Sequence, residues 1–556
     1  MTEASSRAWH KLYPEWVPHV LPLPTKSLAD VLEEAVATNA SAPAIHYFDR
    51  TITYGELDDL ANRFATLLAS WNVGKGDCVA LYMQNVPQYL VALYGSWKRG
   101  AVVVPLNPMF KEKEATYHLA DSGAKVLVVL ESIWESVAKN VVPGSTVQHV
   151  LTTNELDMLG SETPHAVFAQ SKKAKGENDL LETLAKVTPD PKARSQVVPS
   201  DIASLGYTSG TTGQPKGAMC THGNMVYNGN FYRTWMKMTA EDGVLGVAPL
   251  FHITGMVGHV AVAATAVCPV VLAFRFDADA TFQLVERWKP TFTVCSITVY
   301  LALMNHPSGK PAQLSSITKA FSGGAPIAPR IADDFEKKFG IYIHNIYGLT
   351  ESSSPTHAVP LGARAPVDPA SGALSVGIPI PGCDVRLVDM EDVNKEVPIG
   401  EAGEIADHGP MIFAGYWKKP EATEKAFDKG YFLTGDVATR TEEGYFFVVD
   451  RKKDMINVSG YKVWPREVED TLYQHASVKE AAVIGIPDEY RGETVKAFVS
   501  LKSGTTATPE EIIEHCKKLM AAYKYPRVVE IVDEVPKTVT GKFLRRVLRD
   551  KESAKA

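Results

Sequence analysis

Ile202-Ala-Ser-Leu-Gly-Tyr-Thr-Ser-Gly-Thr-Thr-Gly-Gln-Pro-Lys-Gly217 is a strand-like run that breaks into a glycine- and threonine-rich loop. Gly210, Gly213 and Gly217 open backbone conformations closed to other residues. Closely spaced N–H groups in such a loop surround phosphate oxygens. Thr208, Ser209, Thr211 and Thr212 add hydroxyl donors, and Lys216 adds a positive charge. The lysine follows Pro215 and precedes Gly217, so this is not a Walker A loop, which needs Gly-Lys followed by Ser or Thr. A flexible surface linker is the plainer reading of a Gly/Thr stretch. The buried-looking strand before it and the single lysine favour phosphate binding.

The surroundings fit a strand that delivers a loop. Upstream, Cys78-Val-Ala-Leu-Tyr-Met, Val102-Val-Val-Pro-Leu and Lys125-Val-Leu-Val-Val-Leu read as buried strands. Helical patterns run from Ser27, a candidate cap, from Thr53 to about Trp71, and from Val86 to Trp97. Strands alternating with helices imply crossover units and a largely parallel sheet. Residues 154–201 are polar and Pro/Lys-rich, and read as a long connection with one helix. From Arg451 a new unit begins, with strand candidates at Ala481–Ile486, Val495–Leu501 and Val528–Val532 and helices from Pro465 and Pro509. The expected fold class is α/β. A large N-terminal domain (1–450) holds several mixed or parallel sheets flanked by helices, and a small α+β C-terminal domain (451–556) follows.

Composition narrows the class. A chain of 556 residues with 45% hydrophobic and 22% charged residues is globular and too long for one ordinary domain. Its net charge of −7 argues against a nucleic-acid binder. Six scattered cysteines form no CxxC pair, which fits a reducing, cytoplasmic setting. The N-terminus lacks a secretory pattern. The apolar stretch from Met256 to Phe274 contains His259 and is divided by Pro269, so it reads as a buried helix and strand rather than a membrane span.

Further motifs follow in order: Ser322-Gly-Gly-Ala-Pro326, Asn345-Ile-Tyr-Gly-Leu-Thr-Glu351, Tyr431-Phe-Leu-Thr-Gly-Asp436, Asp450-Arg-Lys-Lys-Asp454, Ser459-Gly-Tyr-Lys462 and Pro536-Lys-Thr-Val-Thr-Gly-Lys542. With the loop at 207–217, this ordered set resembles the adenylate-forming superfamily, which includes acyl-CoA synthetases, peptide-synthetase adenylation domains and beetle luciferases. The resemblance covers nearly the whole chain. It implies an ATP-dependent ligase that makes an acyl-adenylate and passes the acyl group to coenzyme A.

The resemblance also assigns residues. Thr208 to Gly213 and Lys216 would hold the ATP phosphates. Gly323, Gly324 and Ala325 would border adenine and the acyl group. Asn345, Ile346, Tyr347 and Gly348 would line the adenine site, with the Tyr347 ring against the base. Thr350 would approach the α-phosphate and Glu351 would hold Mg²⁺, a hard cation that prefers oxygen ligands. Asp436 would accept the ribose hydroxyls, and Arg451 would contact ribose or phosphate. Lys453 would mark the hinge of a mobile C-terminal domain, Gly460 would line the pantetheine tunnel, and Lys542 would be the catalytic lysine. Pro249-Leu-Phe-His-Ile-Thr-Gly255 would border the acyl pocket with His252 near the carboxylate, and Thr298, Val299 and Tyr300 would approach the same pocket. Arg545, Arg546 and Arg549 lie at near-helical spacing and fit either CoA phosphates or a solvated face.

Trp9-His-Lys-Leu-Tyr-Pro and Leu21-Pro-Leu-Pro-Thr-Lys-Ser-Leu resemble the opening of bacterial medium- and long-chain fatty-acid ligases, which favours a fatty acyl substrate. Aryl, hydroxy and other acids, or a stand-alone adenylation enzyme, are the alternatives. A non-catalytic nucleotide-binding protein is disfavoured because Lys216, Glu351, Asp436, Arg451 and Lys542 are all present. Expected partners are a carboxylic acid, ATP and CoA, with no nucleic acid and no membrane span; a homodimer stays open.

An ammonium group about 4 Å from a phosphate charge gains roughly 4 kcal/mol at an effective dielectric near 20. Lys542→Ala should therefore cut acyl-AMP formation by several hundred-fold or more and spare thiolation of supplied acyl-AMP. Pyrophosphate exchange and single-step thioester assays separate the two, and equal loss of both would remove Lys542 from its assigned role.

Overall fold

The computed structural model describes residues 7–160, 162–173, 178–208, 214–369, 371–488, 490–537 and 543–553. Two large sheets form the frame of the N-terminal part. The first has six strands in the order His149–Thr153, Val126–Leu130, Cys78–Tyr82, Val102–Pro105, Ile202–Thr208 and Lys216–Thr221. All neighbours are parallel except the last pair, which forms an antiparallel hairpin around the glycine-rich loop. Cys78–Tyr82, Val102–Pro105 and Val126–Leu130 are buried at every position. Strands covered on both faces read as unbroken apolar runs, which is why they were visible in the sequence.

The second sheet has nine strands. Its centre is parallel: Ile343–Leu349, Lys319–Ser322, Phe292–Cys295, Val244–Gly246, Val270–Leu272 and Pro43–Tyr47. Antiparallel strands close both edges, with Arg50–Thr53 at one end and Ser354–Ala358 followed by Ile378–Pro379 at the other. Helices fill the connections. In Leu28–Asn39, Ser27 accepts from the Asp30 N–H while the Asp30 carboxylate accepts from the Ser27 N–H, a reciprocal cap. The connection at 154–201 carries one short α-helix among its described residues, Leu180–Ala185.

The stretch after Met256 is a buried helical segment ending near Ala266, then the strand Val270–Leu272. His259 is fully buried within it, and its Nε2 donates to the Val294 carbonyl at 3.0 Å. Burial holds its imidazole down at about 4, so it is neutral at ordinary pH. Among the described residues no helix is long and apolar enough to cross a membrane.

Two antiparallel-rich sheets follow. Asp384–Val388, Gly403–His408, Tyr431–Arg440, Phe427–Asp428 and Phe446–Arg451 form one. Tyr461–Val463, Ile456–Val458, Gly492–Leu501, Val478–Asp488 and Val528–Ile531 form the other, with Pro465–Tyr473 and Pro509–Leu519 as its helices. The last sheet has its own hydrophobic clusters, one around Val463, Val468, Val483, Val499 and Ile512 and one around Ile484, Phe498 and Leu548. The strand and helix positions expected from 481, 495, 528, 465 and 509 fall inside these elements.

The arginines of the final helix, Arg545–Ser553, do not share one solvated face. Arg545 contacts Asp450 at 3.1 Å, Asp454 at 3.2 Å and Glu469 at 2.8 Å, and Arg549 contacts Asp454 at 2.7 Å. The Arg545 side chain is 11% exposed, so the cluster is largely dry, whereas Arg546 is 62% exposed. Removing one partner from a buried cluster leaves uncompensated charge. Arg545→Met should lower stability by about 3–5 kcal/mol, while Arg546→Met should stay within about 0.5 kcal/mol. Chemical denaturation of the two variants against the wild type measures the difference, and a similar small loss in both would show the cluster to be hydrated.

Candidate active site

The hairpin of the six-stranded sheet sets one wall. Thr208 and Lys216 face each other across its open end. Ser209, Gly210, Thr211, Thr212 and Gly213, which complete the loop, lie outside the described residues, as does Lys542. The hairpin base is tied down on several sides. Tyr207 Oη donates to Asp121 at 2.7 Å, Tyr117 Oη donates to the Pro215 carbonyl at 2.7 Å, and the Trp417 N–H donates to the Gly217 carbonyl at 2.8 Å.

Glu351 sits against this wall with 8% exposure. Its Oε1 accepts from Thr208 Oγ1 at 3.0 Å and from Tyr416 Oη at 3.0 Å. Lys216 Nζ lies 4.1 Å from the centre of the Tyr416 ring. Burial, then the Glu351 charge, pushes the Tyr416 phenol up, so it remains a donor. Thr350 is positioned by its carbonyl, which accepts from Cys220 Sγ at 3.3 Å. Its methyl packs onto Gly206, where a Cβ would fall inside the van der Waals shell of Thr350 Cγ2. Asn228 Nδ2 donates to the carbonyls of Ser352 and Ser353 and fixes the turn that follows.

The nine-stranded sheet supplies the second wall. Lys319–Ser322 ends in the turn carrying Gly323, Gly324 and Ala325, beside Ile343–Leu349. A Cβ on Gly323 would lie 2.7 Å from the Ile346 carbonyl oxygen, so the two segments meet only because this residue is glycine. Ile346 is a core residue. The buried Asn345 side chain donates to the Ser375 carbonyl at 3.0 Å, which commits its amide to the scaffold. Gly348 lies at an irregularity in the pairing with Ser354–Ala358.

Tyr347 crosses to the third sheet, where its Oη donates to Asp436 Oδ2 at 2.7 Å. Burial first, then the Asp436 and Asp407 charges, raises the phenol well above its ordinary range, so the hydroxyl holds its proton. Asp436 is 8% exposed and pairs across the strands with Arg451 in backbone register. Arg451 Nε approaches Asp454 at 3.3 Å. Burial and the neighbouring Arg451 bring the Lys453 ammonium down to about 8. Gly460 lies in the exposed turn between Ile456–Val458 and Tyr461–Val463, at φ 87°.

His252 starts the helical stretch after Leu250, and its Nδ1 accepts from the Thr254 N–H at 3.3 Å. Tyr300 is 3% exposed and donates to the Phe321 carbonyl at 2.8 Å, next to the 322–326 turn. It thus supports that turn from within the core rather than presenting its hydroxyl to an open pocket. Two residues at this site escaped the sequence reading. Tyr416 joins it through an antiparallel bridge to Ala218, and the only sequence signal was the aromatic pair Tyr416-Trp417 after Gly415. Asp407 joins it from the strand Gly403–His408 and gave no signal beyond its place in a strand.

The donor set fits Mg²⁺. Glu351 offers a buried carboxylate beside the Thr208 hydroxyl, both hard oxygen groups. Among the described residues no cluster of three or more His, Cys, Asp or Glu forms a closed metal cage. An ion here would lean on one carboxylate and the phosphates of a nucleotide, the usual pattern for Mg²⁺.

Residues 32–417 match the family described as AMP-binding enzyme, and residues 467–542 match its C-terminal domain. The long-chain-fatty-acid–CoA ligase of Bacillus subtilis (strain 168) is 35% identical over 562 residues, covering 99% of each chain. The feruloyl-CoA synthase of Amycolatopsis sp is 35% identical over 516 residues, covering 91% of this chain and 95% of its own. The solved anthranilate CoA ligase AuaEII, in complex with anthranoyl-AMP, superposes with a TM-score of 0.84 at 28% identity, covering 96% of this chain and 99% of its own.

Tyr347→Phe removes the hydroxyl that orients Asp436 and keeps the ring. One hydrogen bond to a charged group is worth about 1.5 kcal/mol, so the KM for ATP should rise about tenfold, with kcat within about twofold. Steady-state kinetics in ATP tests this, and an unchanged KM would detach the Tyr347–Asp436 pair from nucleotide binding.

Proposed function

The chain belongs to the AMP-binding enzyme family and is an AMP-forming acyl-CoA ligase, and we propose that its acid is a medium- or long-chain fatty acid. The observation that carries the substrate proposal is the 35% identity to a long-chain-fatty-acid–CoA ligase over 99% of both chains. The 35% identity to a feruloyl-CoA synthase favours an aryl acid as the second reading.

The chemistry runs in two steps. The carboxylate attacks the α-phosphorus of ATP, pyrophosphate leaves and a mixed anhydride forms. The CoA thiol then attacks the acyl carbonyl and AMP leaves. Both nucleophiles come from substrates, so no Ser-His-Asp constellation is needed. In the first step negative charge accumulates on the α-phosphate as two anions meet, and the site must offer donors and positive charge.

The residues fit these tasks in the following way. We assign Thr208, the 209–213 loop and Lys216 to the phosphates, and Lys542 together with Thr350 to the α-phosphate. Glu351 would hold Mg²⁺, which supplies charge neutralisation on the phosphates. The buried Thr208–Glu351–Tyr416 arrangement supports this, because it keeps one carboxylate oriented beside the hairpin. Tyr347 and the 323–325 turn flank adenine, Asp436 accepts the ribose hydroxyls, and Arg451 lies across the strands from it. His252 stands near the acyl carboxylate and Gly460 near the pantetheine. We place the division between the two domains at 450/451 and a rotation of the second about Lys453, so that Lys542 serves adenylation and Gly460 serves thiolation. The reading sets the reaction in the cytoplasm.

Acids from octanoate to oleate, with ferulate, benzoate and anthranilate as the aryl arm, should be scored for pyrophosphate release and CoA thioester. The fatty acids should exceed the aryl acids in kcat/KM by about tenfold or more, which is about 1.4 kcal/mol of differential binding. A reversed order would establish the aryl reading, and pyrophosphate exchange without thioester would establish a stand-alone adenylation enzyme.

A further inference from the structure

Asp407 stands where its strand calls for an apolar side chain. In Gly403–His408 it shares a face with Ile405, which lies in the main core, and both are fully buried. A carboxyl group there costs several kcal/mol if charged and unpaired. Among the described residues no cation pairs with it, and neither oxygen has a hydrogen bond of normal geometry, although Thr356 lies beside it.

The groups near Asp407 come from three strands and from the residue before a fourth. Tyr431–Arg440 presents Asp436, Ile343–Leu349 presents Tyr347, and Ser354–Ala358 presents Thr356. Cys383, just before Asp384–Val388, is a fourth neighbour, itself pushed up by burial and by Asp407 and Asp384. His357 adds no positive charge, since burial holds its ring at about 3. Of the nearby cations, Lys452 pairs with Glu404 at 2.8 Å and Arg451 with Asp454 at 3.3 Å, while Lys453 interacts with Asp436 and is itself brought down to about 8 by burial and Arg451. Two buried carboxyl groups thus stand on paired neighbouring strands, the Tyr347 hydroxyl is given to Asp436, and the Thr356 hydroxyl beside Asp407 is engaged with His357 Nδ1 at 2.9 Å. Like charges so placed do not both ionise. The proton belongs to the more deeply buried member, and burial followed by repulsion from Asp436 holds the Asp407 carboxyl up at about 7.

We propose that Asp407 is a positioning residue of the nucleotide site: held neutral, it lets Asp436 act as the charged ribose acceptor, and nucleotide binding draws a proton onto it. This rests on the assignment of Asp436 to the ribose. A bound ribose removes water from Asp436 and so removes the screening between the two carboxyl groups. Ionised Asp407 is then penalised further in the complex than in the free protein. By linkage, AMP binding takes up a proton at pH values above the free-protein midpoint, and affinity falls as pH rises. Replacement by a neutral side chain removes the Asp407 share of both effects and leaves that of Lys453.

The test uses AMP and the full chain. At about pH 8 the AMP phosphate is fully ionised, its second pKa lying near 6. Isothermal titration in two buffers of different ionisation enthalpy then reads proton uptake by the protein. Wild type should take up a fraction of a proton, approaching one, and its Kd for AMP should rise up to about tenfold per pH unit above about pH 7. Asp407→Asn should show clearly less uptake than wild type, what remains coming from Lys453, and a Kd that varies less with pH. Asp407→Val, which suits a buried strand position, serves as the second variant if the amide misfolds. No uptake in wild type, equal uptake in folded variants, or loss of AMP binding in both folded variants overturns the proposal. Failure of wild type itself to bind AMP overturns the nucleotide-site reading instead.

Discussion

A carboxylate taken out of water must be met by donors or must keep a proton, and the candidate site is organised around three carboxyl groups that meet this demand differently. Glu351 receives two hydroxyls, from Thr208 in the six-stranded sheet and from Tyr416 in the loop bridged to it. Asp436 receives the Tyr347 hydroxyl from the nine-stranded sheet. Asp407 receives no donor of normal geometry among the described residues and keeps its proton up to about 7. The Tyr347–Asp436 bond runs between two sheets and the Thr208–Glu351 bond ties the six-stranded sheet to the turn after Ile343–Leu349, so the same contacts that satisfy the acids also fix how the sheets sit around the candidate site. Scaffold and site therefore cannot be varied independently here.

That dependence explains what the sequence could and could not reveal. Residues that stand out within their own segment were legible as candidates: the strands flanking the glycine-rich loop, Tyr347, Glu351 and Asp436 each lie in a compact motif. The parallel sheets were legible because burial on both faces leaves continuous apolar runs such as Val126–Leu130. Tyr416 was not legible, because its role comes from bridging Ala218, far away in the chain, and a lone tyrosine gives no hint of that pairing. Asp407 was not legible for a similar reason. The strand is buried at every position from Gly403 to Asp407, so no alternation singles Asp407 out, and only the packing of other strands brings it near Asp436 and Tyr347.

Arg545 illustrates a different failure. Near-helical spacing of Arg545, Arg546 and Arg549 resembles a solvated stripe, and for Arg546 that reading holds. The acids that bury Arg545 are Asp450, Asp454 and Glu469, contributed by a strand end, the following turn and a separate helix. Helical periodicity reports which residues share a face, but not what that face meets. Burial then reverses the energetics: an exposed arginine is worth little, whereas one that neutralises several buried acids is costly to remove.

The placement of that cluster bears on how the two parts of the chain can move. Asp450 precedes the Arg451–Lys453 segment and Asp454 follows it, yet one guanidinium contacts both, at 3.1 and 3.2 Å. A rotation about Lys453 of the kind proposed above therefore has two physical routes. Arg545 either stays bound to both acids and serves as the pivot, or it releases Asp450 and leaves that carboxylate to the Arg451 and Arg466 backbone amides, which already donate to it at 2.8 and 2.9 Å. Those two amides make the second route affordable, since Asp450 would not be stranded without donors. Lys453 is itself lowered to about 8 by burial and by Arg451, so its charge is held only weakly at the proposed pivot. In the proposed rotation, charge balance around residues 450–454 therefore contributes to the cost of moving the second part of the chain.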